Sequence, residues 1–452
     1  METIHIYHTN DLHSHFEHWP RIRKLLLQRR TLHLEAGEEC YIFDIGDHMD
    51  RFHPYSDATR GKGNVQILND SGYTAVTLGN NEGITLPYDD LDQMYNKAEF
   101  DVIIANLFDK NHKRPKWAKP YKIYETTSQK KIAVVGLTAF FAHFYSLLGW
   151  NLSEPFKELK GLIPDLKSKS DCLIVLSHLG IHDDERLADE FPEIDVILGA
   201  HTHHILHNGK EINNTLLAAA GKYGMYVGHV MLTVDEDANL LDKKALLYDT
   251  NDLLPVEEEK EITNQWYEEG KNQLSQVFLN LSLNKGTKEN LAQVLCIALK
   301  EWCQADCAFI NEGMILNDLR SESLTDFDLL TICPHPINPC VIELSGSELK
   351  EVLLESQEDK WSNMQIKGFG FRGNFMGKMV YEGIEIERHK KGMRFSIQSI
   401  EIDDDKKYKL AIPDMFTFGM LFPIIKRAAN KTFFFPEFLR DLLKWKLIET
   451  NN

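Results

Sequence analysis

Residues 3–15 read Thr-Ile-His-Ile-Tyr-His-Thr-Asn-Asp-Leu-His-Ser-His. A β-rich run through Ile4, Ile6 and Tyr7 stops at Thr9 and Asn10, and Asp11 and His13 follow on a loop. Alternate residues of an extended segment face one side, so a carboxylate and an imidazole two apart just past a strand end can turn toward one cation. Alone, the pattern is weak. It gains weight because short apolar strands ending in a metal-competent side chain recur at four later places.

After a helix over 20–30, a strand at 41–45 ends in Gly46-Asp47-His48. A helix over 63–71 leads to a strand at 73–78 that ends in Gly79-Asn80-Asn81-Glu82. Strands at 101–105 and 132–137 follow. The run 172–176 ends in Ser177-His178, and 196–198 ends in Gly199-Ala200-His201-Thr202-His203-His204. Strand-like runs at 215–219 and 226–234 complete residues 1–250. Strands alternating with helical stretches imply a layered α/β domain whose function gathers at strand ends.

Residues 251–285 read as a linker: Pro255, a Glu-rich first turn and then Trp266, Leu274, Val277 and Phe278 at loosely helical spacing. From 286 to 452 the pattern restarts as a second α/β domain. Its helices run through about 303 and over 346–355, with strands at 308–310, 341–344, 379–386, 394–402 and 407–412. Phe433-Phe434-Phe435-Pro436 is expected to pack the C-terminal helix onto the core.

The residues that carry chemistry are Asp11, His13, Asp47, Asn80, His178, His201 and His203. Two carboxylates, an amide oxygen and four imidazoles suit Zn²⁺, Mn²⁺ or Fe and are too many for one four-coordinate ion. Two ions sharing Asp47 use them all. Such a pair, about 3.5–4 Å apart, can bridge and deprotonate a water and hold a phosphoryl oxygen, which is phosphate ester hydrolysis. Taken singly, each residue has a plainer reading: Asp47 and Asn80 as turn residues, His178 as a core histidine, His201 to His204 as an adventitious nickel-binding tract. The joint placement at strand ends outweighs those readings for the seven. For His5, His8, His33, His112 and His207 the plain reading is kept.

The order Thr-Asn-Asp-Leu-His, Gly-Asp, Gly-Asn-x-Glu, Ser-His-Leu-Gly and Gly-Ala-His-Thr-His, followed by a second domain, resembles the 5'-nucleotidase family of binuclear metallophosphoesterases. The resemblance implies a four-layer αββα catalytic domain and a C-terminal nucleotide-recognition domain, with the site in the cleft between them. It implies two divalent ions (Zn, Mn, Fe or Mg). Asp11, His13, Asp47 and His203 hold one; Asp47, Asn80, His178 and His201 hold the other.

Departures from the family are equally specific. The catalytic His that follows the ligand Asn in the family is Asn81 here, and the Asp that pairs with it is Ile84. An Asn donates a hydrogen bond but cannot pass a proton. The family's Asn-Gly-Gly-Gly-Ile-Arg is Asn311-Glu312-Gly313-Met314-Ile315-Leu316, losing a base. One half of the family's aromatic clamp on the nucleobase falls on His335 and the other near Met415, while Lys288 stands where the family has a phosphate-facing Arg. Phe369, Phe371 and Arg372 are further pocket candidates, with core or turn as the plainer reading.

With 452 residues, 43% of them hydrophobic, the chain can form two or three cored domains. The net charge of −18 argues against a nucleic-acid polymer or an acidic membrane as partner. Seven scattered cysteines, no membrane-length apolar run and no signal-like N-terminus lead to a cytoplasmic expectation. Cys303 and Cys307 are read as buried thiols rather than metal ligands. The function expected is hydrolysis of a nucleoside 5'-monophosphate or related nucleotide in nucleotide catabolism. A phosphodiesterase or pyrophosphohydrolase on a cyclic nucleotide, dinucleotide or nucleotide-sugar is the alternative, and a binding protein with poor turnover is the reading from another class.

Overall fold

Parallel strands bring their C-terminal ends to one edge of a sheet, and that rule positions every candidate ligand in this chain. The computed structural model describes residues 1–280, 287–319, 321–390, 392–419 and 421–451, with the side chain of Lys288 outside that set. Chain contacts divide it into two compact units, Met1–Gly270 and Lys271–Asn452. The boundary falls inside the helix Glu259–Gln273, most of which packs on the first unit, whereas the sequence reading places 251–285 in a linker. Arg21 pairs with Glu259 at 2.6 Å, and Trp266 sets its ring against Phe16 at 5.3 Å. A Cβ on Gly270 would lie 2.2 Å from the Tyr55 nitrogen.

The first unit contains a seven-stranded and a six-stranded sheet. In the first sheet Glu2–Thr9, Glu39–Asp44, Ala75–Val76 and Asp101–Ile103 run parallel, and Tyr226–Val234 joins Glu2–Thr9 antiparallel. In the second, Lys131–Thr138, Cys172–His178, Val196–Gly199 and Thr215–Ala218 run parallel. The β-branched and aromatic runs seen in sequence make these strands, and their alternate residues form one core. Ile4, Ile6 and Phe43 of the first sheet share it with Val134, Ile174 and Leu198 of the second. The other face of the second sheet packs Ala133, Val135 and Leu173 against Leu159 and Ile163 of Pro155–Lys167 and Leu187 of Ile181–Glu190. Only Ala75–Val76 of the run 73–78 enters the ladder; the Tyr73 hydroxyl instead bonds Thr9 Oγ1 at 2.7 Å. Strand Leu240–Asp249, which no sequence pattern announces, pairs with Tyr226–Val234 along the sheet edge.

The second unit has a five-stranded sheet in the order Met379–Glu382, Cys307–Asn311, Lys407–Pro413, Pro339–Ser345, Lys431–Phe433. Helices Lys288–Trp302, Gly346–Ser356 and Leu439–Asn451 contribute Leu295, Leu349 and Leu442 to its core, and Phe433 and Phe434 pack against it. Cys303 and Cys307 are free, buried thiols in that core.

Candidate metal centre

The loops after Glu2–Thr9 and Glu39–Asp44 continue side by side beyond the ladder. Asp11 N–H donates to Gly46 O at 3.0 Å and His13 N–H to Asp47 O at 2.8 Å. The loop after Ala75–Val76 closes on them because Gly46 and Gly79 carry no Cβ. One on Gly79 would lie 2.1 Å from Asp47 Oδ1, and one on Gly46 2.3 Å from Gly79 N. Glu82 locks the arrangement. Its Oε2 accepts from Asp47 N–H and Gly79 N–H, both at 3.0 Å, and its Oε1 accepts from Met49 N–H at 3.1 Å. Five of the seven candidates, Asp11, His13, Asp47, His201 and His203, hold left-handed φ between 50° and 69°. Non-glycine residues rarely adopt that conformation, and strain of this kind clusters at functional sites.

All seven come together in the first unit. Asp11 Oδ1 lies 3.7 Å from His13 Nε2 and 3.4 Å from His203 Nε2, and the two imidazole nitrogens are 3.3 Å apart. Donors about 2.1 Å from one tetrahedral cation are separated by about 3.4 Å. Asp47 faces both ways: Oδ2 is 3.7 Å from His13 Nε2, and Oδ1 is 3.5 Å from His178 Nε2. His178 donates from Nδ1 to Ile45 O at 2.6 Å, which leaves the Nε2 lone pair for a ligand. That Nε2 is buried without a hydrogen-bond partner, and so is Asn80 Oδ1. The His201 ring lies 5.3 Å from that of His178, and the His201 backbone N–H donates to both Asp11 oxygens at 3.0 and 3.2 Å. Donor groups Asp11/His13/His203 and Asp11/Asp47/His178 each lie within a cation's reach.

Electrostatics favour positive charge here. Burial alone would drive His178 down, but the Asp47 and then the Asp11 carboxylate outweigh it and push it up to about 10. Asp47 is held below the usual carboxylate range, with burial overcome by His178 and His13. Metal ions displace protons from such ligands, so a divalent ion and the His178 proton would compete for this pocket. Buried lone pairs without partners beside buried carboxylates fit that ion, so the residues present suit the group.

Asn81 is buried. Its N–H donates to Asp47 Oδ1 at 2.7 Å; its Nδ2 lies 2.9 Å from His13 Nδ1 and donates to Met49 O at 3.1 Å. Were His13 to hold a cation through Nε2, its Nδ1 proton would need an acceptor, which the Asn81 amide oxygen, once turned, or Asp50 Oδ2, 3.7 Å away, could provide. Among the imidazoles able to replace the missing His, His48 is buried under Trp19 with its Nδ1 against Asn64, whereas His143 and His204 are exposed. Glu82 is a site residue to which sequence reasoning assigned no role. The visible signal is its place three residues after Gly79, the spacing of a helix capping box.

In the second unit the expected pocket residues are displaced. Met415 is fully buried in the core, because the short turn Asp414–Thr417 directs it inward, so it has no surface to stack on a base. His335 is likewise fully buried, with Phe371 stacked on it at 5.0 Å and 6° and the Arg372 N–H donating to Nδ1 at 2.9 Å. Burial, with Arg372, pushes it down to about 3. Asn311 donates to Met376 O at 2.8 Å, leaving a buried Oδ1 without a partner. Lys288 opens its helix, but its side chain lies outside the described residues. Phe369 is accessible, 45% exposed, and its ring is parallel to that of Phe418 within 8° at 6.3 Å.

Comparison with known proteins agrees with this architecture. Residues 4–204 match the calcineurin-like phosphoesterase family and residues 271–426 the 5'-nucleotidase C-terminal domain. The chain is 44% identical over 460 residues to an uncharacterized metallophosphoesterase of Bacillus subtilis (strain 168), YunD, covering 99% of this chain and 100% of that one. It is 24% identical over 417 residues to a 5'-nucleotidase of Vibrio cholerae, covering 77% and 74%. The structure of the Haemophilus influenzae NAD nucleotidase has the same fold, with a TM-score of 0.65 at 15% identity over 99% and 97% of the chains. Calcineurin-like metallophosphoesterases use a binuclear divalent metal centre, for which the converging donors supply candidates. The chain therefore belongs to the 5'-nucleotidase family of metallophosphoesterases, which are metal-dependent phosphoester hydrolases.

Proposed function

We propose that this enzyme hydrolyses a nucleoside 5'-monophosphate or a related small nucleotide at two divalent ions. One is held by Asp11, His13, Asp47 and His203 and the other by Asp47, Asn80, His178 and His201. The observation that carries the reading is the pair of buried polar atoms without hydrogen-bond partners, His178 Nε2 and Asn80 Oδ1, beside the Asp47 carboxylate. A cation satisfies all three together. When bound, such a pair polarises the phosphoryl group and makes a water nucleophilic at neutral pH. Asp47 supports the bridging role because each of its oxygens faces a different histidine. Imidazole-rich donors favour Zn, Mn or Fe over Mg. Parallel Phe369 and Phe418 support recognition of a flat base by the second unit. Seven unpaired cysteines, six of them buried, fit a reducing cytoplasm and an intracellular role in nucleotide breakdown.

One observation favours a second reading. The amide of Asn81 is committed to His13 and Met49 O, so this position supplies no acid to a departing alkoxide. Pyrophosphate-linked dinucleotides and nucleotide-sugars release a phosphate, which needs less protonation than an alkoxide, and a cyclic nucleotide belongs to this reading only as a diester. Hydrolysis of a panel of monophosphates, diesters and pyrophosphates with added Mn²⁺, Zn²⁺ or Mg²⁺ decides between them. Highest kcat/KM on nucleoside monophosphates supports the first reading, and highest kcat/KM on diesters or pyrophosphates replaces it with the second. Tight ligand binding without turnover under every metal would overturn both.

A further inference from the structure

Three histidines and a glutamate meet at the helix-covered face of the first sheet. Ile4 and Ile6 face the layer between the sheets, so His5 on the same strand faces the other way. His229 comes from the neighbouring strand, His33 from the last turn of helix Trp19–Ala36, and Glu38 from just beyond it. His5 Nδ1 is 3.0 Å from His229 Nε2, and His5 Nε2 is 3.2 Å from Glu38 Oε2. The same Glu38 oxygen lies 2.8 Å from His33 Nδ1. One nitrogen from each imidazole lies within 4.8 Å of the others. His5 precedes Asp11 by six residues, roughly 20 Å along an extended chain, so this cluster is separate from the binuclear centre.

We propose that His5, His33, His229 and Glu38 form a third divalent metal site, suited to a borderline transition ion such as Zn²⁺. Three imidazoles and one carboxylate are the donor set such ions prefer, whereas Mg²⁺ and Ca²⁺ prefer oxygen. Two of the donors, His5 and His229, need little deprotonation. Burial and then His33 lower His5, and burial followed by His5 and His33 pushes His229 down to about 3. His5 Nε2 is buried without a well-formed hydrogen bond. Glu38, 38% exposed, gives the ion a way in from solvent.

The four residues are also linked to one another by hydrogen bonds and the His5–Glu38 contact. His33 donates from Nδ1 to Glu38 and accepts at Nε2 from the Tyr7 hydroxyl at 3.0 Å; His229 and His5 share one proton. The His5 and His33 rings are stacked at 3.7 Å and 19°, so their lone pairs lie in nearly parallel planes. Closing on a cation therefore turns the His33 ring about its Cβ–Cγ bond, unstacks it from His5 and releases Tyr7. The ion then ties the end of the first helix to two strands, and the freed phenol gives an optical signal.

The test is metal content of the full chain, stripped with a chelator and dialysed against Zn²⁺, in the parent and in His229→Gln. The expected result is one ion fewer in the variant, with phosphoester hydrolysis within twofold of the parent. Glu38→Gln should weaken the same ion at least tenfold. If His229→Gln does not fold, His33→Gln at the helix end replaces it. The difference of one ion is read whatever the binuclear centre holds, so failure of that assignment is distinguishable. Tyrosine absorbance in the Asp47→Ala chain should change on Zn²⁺ addition and stay unchanged when His229→Gln is added. Equal ion counts in parent and variants would overturn the proposal, as would a Zn²⁺-induced tyrosine change that survives His229→Gln.

Discussion

Replacing Glu82 by Gln should weaken divalent-ion binding by about 10–100-fold although Glu82 reaches no candidate ligand atom. Its carboxylate is buried and accepts three backbone N–H groups, from Asp47 and Gly79 through Oε2 and from Met49 through Oε1. Gln keeps the oxygen that serves Asp47 and Gly79 but turns an NH₂ toward the Met49 N–H. One bond to a charged acceptor is lost, worth about 1.5–3 kcal/mol. A 10–100-fold loss of affinity is about 1.4–2.7 kcal/mol, so strain of that size, passed to the Asp47 loop, accounts for the whole effect. Glu82→Ala strands all three N–H groups at about 1–3 kcal/mol each, for at least about 3 kcal/mol. Competition with a chromophoric chelator measures the affinity, and amide hydrogen exchange reports each N–H separately. Met49 should lose protection in Gln, and all three amides in Ala. Parent-like ion affinity in Glu82→Ala, with Asp47 and Gly79 amides still protected, would refute the reasoning.

Gly79→Ala places a Cβ 2.1 Å from Asp47 Oδ1, so the two loops must part. Displacement by about 1 Å is expected to cost about 100-fold in kcat/KM, read by steady-state kinetics alongside metal analysis. Asn81→His combined with Ile84→Asp should raise turnover of nucleoside monophosphates more than that of p-nitrophenyl phosphate, because an alkoxide leaving group needs a proton and an aryl oxide does not. An unchanged ratio, with both ions bound, would show that the missing imidazole does not limit the enzyme. Phe369→Ala should raise KM for nucleoside monophosphates roughly 2–10-fold through lost stacking of about 0.5–1.5 kcal/mol, with KM for an alkyl phosphate unchanged. In the second unit, Trp361→Ala empties a buried site stacked on Phe422 at 4.7 Å and should cost about 3–5 kcal/mol in urea unfolding.

The candidate ligands were legible because each lies at or within a few residues of a strand end: the loop after Glu2–Thr9 yields Asp11, and Cys172–His178 ends on its own candidate, His178. Strand periodicity is local, and parallel order then brings those ends to one place without further information. The pocket of the second unit was not legible. Matching His335 and Met415 to an aromatic clamp says which residue stands at a position, whereas burial depends on how turn Asp414–Thr417 packs against the strands beside it.

The sequence by itself determined two α/β units, five strand ends that bear candidate ligands, and an Asn at position 81 where the family it resembles has an imidazole. Only the tertiary structure decided that Glu82 holds three loop amides, that Phe369 rather than Met415 is accessible, and that His5, His33 and His229 are neighbours. His5 and His33 have plain local contexts and keep the plain reading in sequence, and His229 carries no sequence signal of its own. They meet because an antiparallel strand pairs across the first sheet while the first helix returns over it, and contacts of that range are set by packing rather than by any local pattern.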